Sequence, residues 1–230
     1  SHPHADHYGG LLSVLEAVTV GEIITSGRAS SSPSYKAWQT AVIQQGIRYR
    51  SVASGDTLRD LGQVQGVILH PTRSMVAQED RMHTNDVSVV AHLTYGTFSI
   101  LLTGDIERAA EEALLREQAD IKSTIIKAPH HGSSTSSSHL FLHAVDPEAV
   151  VISVGMRNKF RHPSGQVVGR YRQLGASIYR TDTGGAIIIR SDGRTWHNTP
   201  YISPLPTWFS PRQVLESIHL TGLLSWSIFR

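Results

Sequence analysis

The first seven residues of the chain, Ser-His-Pro-His-Ala-Asp-His, concentrate side chains that bind metal ions. Imidazole nitrogens and carboxylate oxygens suit Zn²⁺ and Mn²⁺, and two such ions side by side form a hydrolytic site. In a short turn, this spacing can direct His2 and His4 to one ion. It can direct Asp6 and His7 to a second ion beside the first. The alternative is a histidine-rich terminus or tag remnant, but the following glycine pair and apolar run are not typical of a tag.

Polar residues that could complete such a site follow three predicted strands. Asp105 comes after an apolar strand and a glycine, where it can bridge two metal ions or serve as an ordinary helix N-cap. His130 and His131 end another apolar strand, either as metal ligands or as loop histidines with other partners. For His162, facing the site and capping the next helix both remain open. Side chains that follow strands converge on one edge of a sheet, so a common site is expected there.

Composition indicates a globular chain. Its 230 residues are 40% hydrophobic and 17% charged, and its formal net charge of +2 permits a polyanionic substrate without requiring one. Cysteine is absent, which excludes a disulfide framework and a thiolate metal site. No apolar stretch approaches the roughly 20 residues of a membrane span. The chain lacks an initiator methionine, so we expect it to be a piece of a longer polypeptide.

Strands and helices alternate in the predicted order, which argues for α/β layers. Helices are predicted at 10–18, 35–45, 106–117, 139–144 and after 163, and strands at 22–25, 49–52, 64–69, 123–128 and 149–154. Hairpins are predicted at 87–103 and 177–190, and a loop at 72–85. We expect residues 1–198 to form one domain and residues 199–230 a tail of unknown role, Pro-rich and then weakly amphipathic and helical.

Together these motifs make the sequence resemble the metallo-β-lactamase superfamily, and within it the hydrolase-like C-terminal domain of ComEC/Rec2-type DNA-uptake (competence) proteins. The resemblance covers residues 1–195. It rests on SHPHADHYGGL (1–11), LHP (69–71), NDVSVV (85–90), SILLTGDIE (99–107), IKAPHHGS (126–133), VISVG (151–155) and YRTDTGGAI (179–187). The first motif is typical of the superfamily, and LLTGDIE combined with PHHGS indicates the ComEC-type branch.

The resemblance implies a four-layer αββα sandwich, here incomplete at the N-terminus, with two divalent ions, Zn or Mn, between its sheets. The implied ligands are His2, His4, Asp6, His7, a bridging Asp105, and His130 or His131. Asn85, Asn158 and His162 are implied as possible substrate or supporting residues. Many superfamily members have a third histidine in the first metal site, for which this chain offers His83, His92 or Asn85. One of the two ions is therefore expected to bind weakly.

The implied activity is hydrolysis of DNA phosphodiesters by a metal-bound hydroxide, which Asp6 orients. The implied partners are DNA and the transmembrane channel of the parent protein, on the outer face of a bacterial cytoplasmic membrane. No partner helix or coiled coil is predicted. Two alternatives remain: a hydrolase of a small ester or amide, and a truncated, non-catalytic domain that packs against its channel. Because supporting strands are expected to be missing, the isolated chain is predicted to be marginally stable or prone to aggregation.

Overall fold

The computed structural model describes residues 1–77, 83–201 and 225–228. The first elements are α1 (Ala5–Tyr8), α2 (Leu11–Ala17), β1 (Glu22–Thr25), α3 (Pro33–Gln44), β2 (Arg48–Ser51), β3 (Thr57–Leu58), β4 (Gln65–His70) and α4 (Arg73–Ala77). They are followed by β5 (Val90–Tyr95), β6 (Phe98–Leu102), α5 (Arg108–Arg116), β7 (Ile125–Lys127), α6 (His139–Val145), β8 (Ala149–Ile152) and α7 (Gly165–Gln173). The last are β9 (Ser177–Arg180), α8 (Thr181–Gly184), β10 (Ala186–Ser191), β11 (Trp196–Tyr201) and β12 (Ser225–Ile228).

A seven-stranded mixed sheet runs in the order β3-β4-β5-β6-β7-β8-β9. The pairs from β3 to β6 are antiparallel, whereas β6, β7, β8 and β9 are parallel neighbours. Each parallel pair is joined through one helix, α5, α6 or α7, in the manner of βαβ units. The carboxyl ends of parallel strands meet at one edge of a sheet. The segments that follow β6, β7 and β8 are therefore brought together at this edge.

The two faces of this sheet are covered differently. On one face, fully buried Leu101, Ile126 and Val150 pack against α5, α6 and α7, forming a layer of helices. On the other face, Ile187 and Ile189 of β10 join a second apolar cluster with the neighbouring strands. Strand β10 lies between β11 and β12 in a separate three-stranded antiparallel sheet. A helical layer, the large sheet and a second sheet are thus stacked in that order.

The parallel pair β1–β2 extends the second sheet layer and carries the outer helices. Ile24 of β1 contacts a buried cluster that contains Ile68 and Ala91 of the large sheet. The adjacent Ile23 contacts a cluster of α1, α2 and α3 side chains that includes Trp38. Because successive strand residues point to opposite faces, β1–β2 lies between the large sheet and these helices. The α/β class and the predicted αββα order of layers are confirmed.

The predicted hairpin at 177–190 is wrong. Strand β9 pairs in parallel with β8, whereas β10 belongs to the other sheet. The side chain of Thr181 explains the separation, because its Oγ1 accepts from Val154 N–H at 2.7 Å and donates to Val154 O at 2.8 Å. These bonds anchor the end of β9 beside β8. Gly185, with φ 71°, then redirects the chain to β10.

Smaller differences concern the segments next to this core. Helix α4 lies within the predicted 72–85 loop, and β5 begins at Val90 because Asn85–Val87 form a 3₁₀ turn. The Asp86 carboxylate of this turn accepts from Glu107 N–H at 2.9 Å and Ala110 N–H at 3.3 Å, at the start of α5. These backbone bonds favour the turn over a longer strand.

The predicted C-terminal tail overlaps two strands. Strand β11 crosses residue 198, and β12 pairs with β10. The helix expected in this tail falls mainly outside the described residues, and the division of the chain at residue 198 stays a prediction. Among the described residues, no helix has the length and apolarity that crossing a bilayer requires.

Candidate metal centre

Four side chains from three segments meet at the carboxyl edge of the large sheet. Asp6 and His7 lie on α1, Asp105 follows β6, and His131 lies in the 3₁₀ turn after β7. Their ligand atoms all lie within 4.8 Å of one another. Two imidazoles and two carboxylates form a donor set that suits Zn²⁺ or Mn²⁺. We call these four residues the metal cluster.

Backbone geometry at two turns places these ligands. Gly104 has φ 54°, and a Cβ atom there would lie 2.7 Å from the Ser88 Cβ atom, so only glycine fits before Asp105. His130 and His131 both adopt left-handed backbone conformations, with φ 45° and 54°. Such conformations are unfavourable for non-glycine residues and are concentrated at functional sites. The second turn therefore holds two consecutive histidines in the left-handed conformation.

The cluster is held by short contacts between imidazole nitrogens and carboxylate oxygens. Asp105 Oδ2 lies 3.1 Å from His7 Nε2 and 3.3 Å from His131 Nε2. Asp6 Oδ2 lies 3.3 Å from His131 Nε2 and 3.9 Å from His7 Nε2. Asp105 is fully enclosed, at 1% exposure, whereas the Asp6 side chain is 60% exposed. The cluster is thus enclosed by protein on the side of Asp105 and open to solvent on the side of Asp6.

Several inward-facing atoms of the cluster lack hydrogen-bond partners. His7 Nε2, His131 Nε2 and Asp105 Oδ1 are buried and make no hydrogen bond of good geometry. Buried polar atoms are nearly always satisfied in folded proteins, so a group of three at one point calls for an explanation. A divalent cation would be bound by just these atom types. The residues therefore fit a metal ion.

The outer nitrogens of the two ligand imidazoles are fixed by other groups. His131 Nδ1–H donates to the carbonyl oxygen of Ser153 at 2.6 Å, and His7 Nδ1 lies 2.9 Å from Ser1 Oγ. Partners of this kind fix the tautomer and the ring orientation of metal-binding histidines. They leave the Nε2 lone pairs directed into the cluster.

Charge around the cluster is balanced by a lysine whose side chain is only 13% exposed. Lys127, on β7, donates to the carbonyl oxygens of Gly104 at 2.9 Å and Ala128 at 3.1 Å. Its ammonium lies 3.6 Å from Asp105 Oδ1. Burial lowers the pKa of Lys127, while the neighbouring Asp105 carboxylate opposes that shift. The lysine thus serves as a fixed countercharge beneath the aspartate.

The pKa shifts in the cluster reflect the same pairing. Burial acts to raise the pKa of Asp105, but the paired imidazoles of His131 and His7 outweigh it and hold that pKa far below its ordinary value. Pairing with His131 also lowers the pKa of Asp6. Burial opposes charge on His131, but the Asp105 and Asp6 carboxylates raise its pKa to about 9. The two carboxylates therefore create a site that favours positive charge.

His2 and His4 form a second pair beside the cluster. His2 Nε2 lies 2.9 Å from His4 Nδ1, and the His2 and His7 rings are 4.2 Å apart. Ser88 links this pair to the cluster, because its Oγ lies 3.1 Å from His2 Nδ1 and accepts from Asp105 N–H at 3.1 Å. Burial lowers the pKa of His2 to about 2, so the imidazole is neutral and can ligate. Within residues 1–77, 83–201 and 225–228, no third ligand joins this pair into another cluster.

Of the two candidate histidines in the second turn, only His131 lies in the metal cluster. His130 Nδ1 instead lies 2.9 Å from Glu107 Oε1, which also accepts from Asn85 Nδ2 at 3.1 Å. The His162 ring lies 5.5 Å from the His130 ring, measured between centroids. Asn85 and His162 thus lie around His130, outside the cluster.

The other candidates lie elsewhere. His83 is exposed, His92 is buried in β5, and the Asn158 side chain, among the described residues, forms hydrogen bonds within its own loop only. Glu107 and Lys127 were missed by the sequence analysis. Glu107 lies two residues after Asp105 and Lys127 four residues before His131, and charged residues so near candidate ligands were the available signal.

Three curated bacterial proteins are similar to most of this chain. ComE operon protein 3 of Bacillus subtilis is 27% identical over 194 residues, which are 84% of this chain and 24% of that protein. Competence protein ComA of Neisseria gonorrhoeae is 31% identical over 188 residues, 81% of this chain and 24% of that protein. Recombination protein 2 of Haemophilus influenzae is 29% identical over 192 residues, which are 82% of this chain and 21% of that protein. The chain spans about a quarter of the length of the curated relatives it matches.

The family comparison agrees with the geometry. The sequence profile described as the metallo-beta-lactamase superfamily matches residues 1–155, which is more than half of the chain. The matched range contains the α1 turn, Asp105 and both histidines of the second turn. The chain therefore belongs to the metallo-β-lactamase superfamily.

Proposed function

We propose that this domain is a metal-dependent phosphodiester hydrolase that degrades DNA within a competence protein. The observation that carries the proposal is the metal cluster, whose inward-facing imidazole and carboxylate atoms lack other partners. The similarity to a protein named as a competence protein supports DNA as the substrate. The small positive net charge is compatible with a polyanion.

The side chains of the metal cluster have different proposed roles, which follow from how exposed each one is. A divalent ion held by the metal cluster would supply Lewis acidity and would lower the pKa of a water molecule. Asp105, buried and paired with Lys127, fixes one side of the site. Asp6 is the most exposed member of the metal cluster, so its carboxylate can accept a hydrogen bond from a water molecule and orient that molecule toward the substrate. His7 and His131 complete the donor set.

The remaining assignments extend this proposal. Zn or Mn is the expected ion, and His2 and His4 are expected to hold a second ion more weakly, because they lack a third described ligand. The matched residues make up only 21–24% of the relatives, which leaves room in a longer parent protein for the transmembrane channel that we propose. We place the domain on the outer face of a bacterial cytoplasmic membrane, with DNA as its substrate.

A substrate panel tests the reaction class. The metal-loaded protein is expected to hydrolyse bis-p-nitrophenyl phosphate and to leave the β-lactam nitrocefin intact. Asp105→Ala should reduce hydrolysis to background, whereas Asp120→Ala, which removes an exposed carboxylate, should retain it. Turnover of nitrocefin would identify a small-amide hydrolase instead. A metal-loaded protein without turnover of either substrate would indicate a non-catalytic domain.

A further inference from the structure

The loop that joins β8 to α7, residues 153–164, exposes an aromatic ring and three cations beside the metal cluster. Phe160 is 66% exposed, although a large apolar ring is normally covered. Arg157, Lys159 and Arg161 alternate along the same segment and are also exposed. The segment contains no carboxylate, and none of these three cations makes an ion pair with a described residue. We call this segment the β8–α7 loop.

A row of rings connects the exposed phenylalanine to the metal cluster. Phe160 and His162 are stacked, with an interplanar angle of 17° and ring centroids 5.8 Å apart. The His162 ring lies 5.5 Å from the His130 ring, whose centroid is 6.3 Å from that of His131. Because His131 belongs to the metal cluster, three successive ring contacts connect the exposed Phe160 to the proposed reaction centre.

The loop is braced so that this row is preorganised. Asn158 Nδ2 donates to the carbonyl oxygens of Gly155 at 3.0 Å and His162 at 2.8 Å. In return, His162 N–H donates to Asn158 Oδ1 at 2.9 Å. These three bonds close the loop on itself around one side chain. Preorganised surfaces lose less entropy when a ligand binds.

We propose that the β8–α7 loop binds single-stranded nucleic acid, with Phe160 stacking on an unpaired base while Arg157, Lys159 and Arg161 contact phosphates. Aromatic rings beside cationic groups are the general means of holding single strands, since every base has a face that can stack. Bases within a duplex are already stacked on each other and offer no such face. The inference rests on the proposed function and narrows its substrate to single strands or unpaired ends.

Two features of the loop bear on this assignment. Lys159 Nζ lies 5.0 Å from the centroid of the Phe160 ring, and a cation–π contact at such an exposed position is weak enough for a base to displace. Basic loops with exposed apolar residues also bind anionic membranes. The ring contacts that connect Phe160 to the metal cluster favour a nucleic-acid substrate, because a membrane anchor does not need such a connection.

The test measures binding rather than turnover, by fluorescence anisotropy with and without a chelator. The full chain is titrated onto an oligothymidylate, an abasic strand of the same length and a duplex. Phe160→Ala should weaken oligothymidylate binding about 5- to 150-fold, the range for loss of one stacked base, and leave abasic-strand binding unchanged. Phe160→Trp should restore oligothymidylate binding. Ile43→Ala removes a side chain of similar exposure, 75%, from the outer helical layer and should change nothing.

The inference is overturned if Phe160→Ala binds the oligothymidylate as tightly as the parent chain, or weakens the abasic strand equally. It is also overturned if Phe160 is needed only for binding phosphatidylglycerol vesicles. If binding depends on stacking but the protein has no hydrolytic activity, the proposed role of the β8–α7 loop is supported and the proposed function is rejected. If the protein hydrolyses phosphodiesters but binding does not depend on Phe160, the proposed function is supported and the proposed role of the β8–α7 loop is rejected.

Discussion

At the scale of single residues, the metal cluster depends on which of two adjacent histidines directs its ring toward Asp6 and Asp105. His130 and His131 have similar left-handed backbone angles, yet their rings take different partners. His131 contacts both cluster carboxylates, whereas His130 pairs with Glu107. The sequence alone left the two equivalent because neighbours in one motif carry the same chemistry. The Ser153 carbonyl oxygen, which accepts from His131 Nδ1–H, distinguishes them.

The two histidines should therefore differ in their effect on metal affinity. His131→Ala should weaken binding of the tighter Zn²⁺ or Mn²⁺ ion at least about 10-fold, since loss of even a supporting partner has that effect. His130→Ala should leave that affinity unchanged, because its ring pairs with Glu107 outside the cluster. Competition with a colorimetric chelator measures both, each variant serving as the control for the other. Equal losses would contradict the assignment of His131.

A second residue-scale feature is the countercharge at Lys127. Its ammonium has three neighbours, namely Asp105 and two backbone carbonyl groups. If the ammonium is removed, the buried Asp105 carboxylate loses a fixed cation that lies 3.6 Å away. Loss of the Lys127 ammonium should therefore lower the free energy of unfolding most in the metal-free protein.

Lys127→Met keeps the length of the side chain and removes its charge. It should lower the free energy of unfolding of the chelated protein by about 3–5 kcal/mol, the usual effect of breaking a buried charge pair. Lys122→Met removes an exposed lysine that pairs with Asp146 at 2.9 Å, and should lower it by less than about 1 kcal/mol. Urea unfolding gives both values. Similar losses for the two variants would show that Lys127 has no special role.

At the scale of elements, the turn bearing His131 is held by the helices on either side. Glu111 of α5 is fully buried and accepts from the backbone N–H groups of Ser137 and Ser138, the latter at 2.9 Å. From α7, Arg170 donates to the carbonyl oxygen of Ser137 at 2.8 Å, and Tyr171 Oη lies 2.8 Å from Ser137 Oγ. The serine-rich segment after the turn is thus fixed from both sides.

Replacing Glu111 should loosen this segment. Glu111→Ala leaves the buried N–H of Ser137 and the partly buried N–H of Ser138 without an acceptor, so it should reduce the free energy of unfolding by about 2 kcal/mol. Glu112→Ala makes the same change at an exposed position of the same helix and should stay within about 0.5 kcal/mol of the parent chain. Chemical denaturation of both variants is the measurement. A neutral Glu111→Ala would mean that the segment is held by other contacts.

The residue patterns of single elements predicted the strands that precede the candidate site residues. They did not predict which strands pair with each other. The strands before Asp105 and His130 were predicted because short apolar runs ended at polar motifs. The segment 177–190 has the pattern of a hairpin, with a glycine pair between two strands. Pairing of β9 with β8 depends on the bonds between Thr181 and Val154, which are distant in sequence. No local pattern contains that information.

At the scale of the whole molecule, the layered fold brings together residues more than a hundred positions apart. Asp6 comes from the outer helical side, while Asp105 and His131 follow strands of the large sheet. The motifs contain all four of these candidate ligands, because the residue types that bind metal ions are restricted. The contacts of Glu107 and Lys127 could not be predicted, since either side chain could equally have faced solvent. Only the assembled sheet edge places them beside the cluster.

The central claim is that this sheet edge binds a divalent metal ion through Asp6, His7, Asp105 and His131. The most direct test is the metal content per chain, measured by mass spectrometry on purified, desalted protein alongside Asp105→Ala. We expect about one to two equivalents of Zn or Mn in the parent chain and a clear reduction in the variant. Less than about a tenth of an equivalent in both, or equal content in both, would contradict the claim.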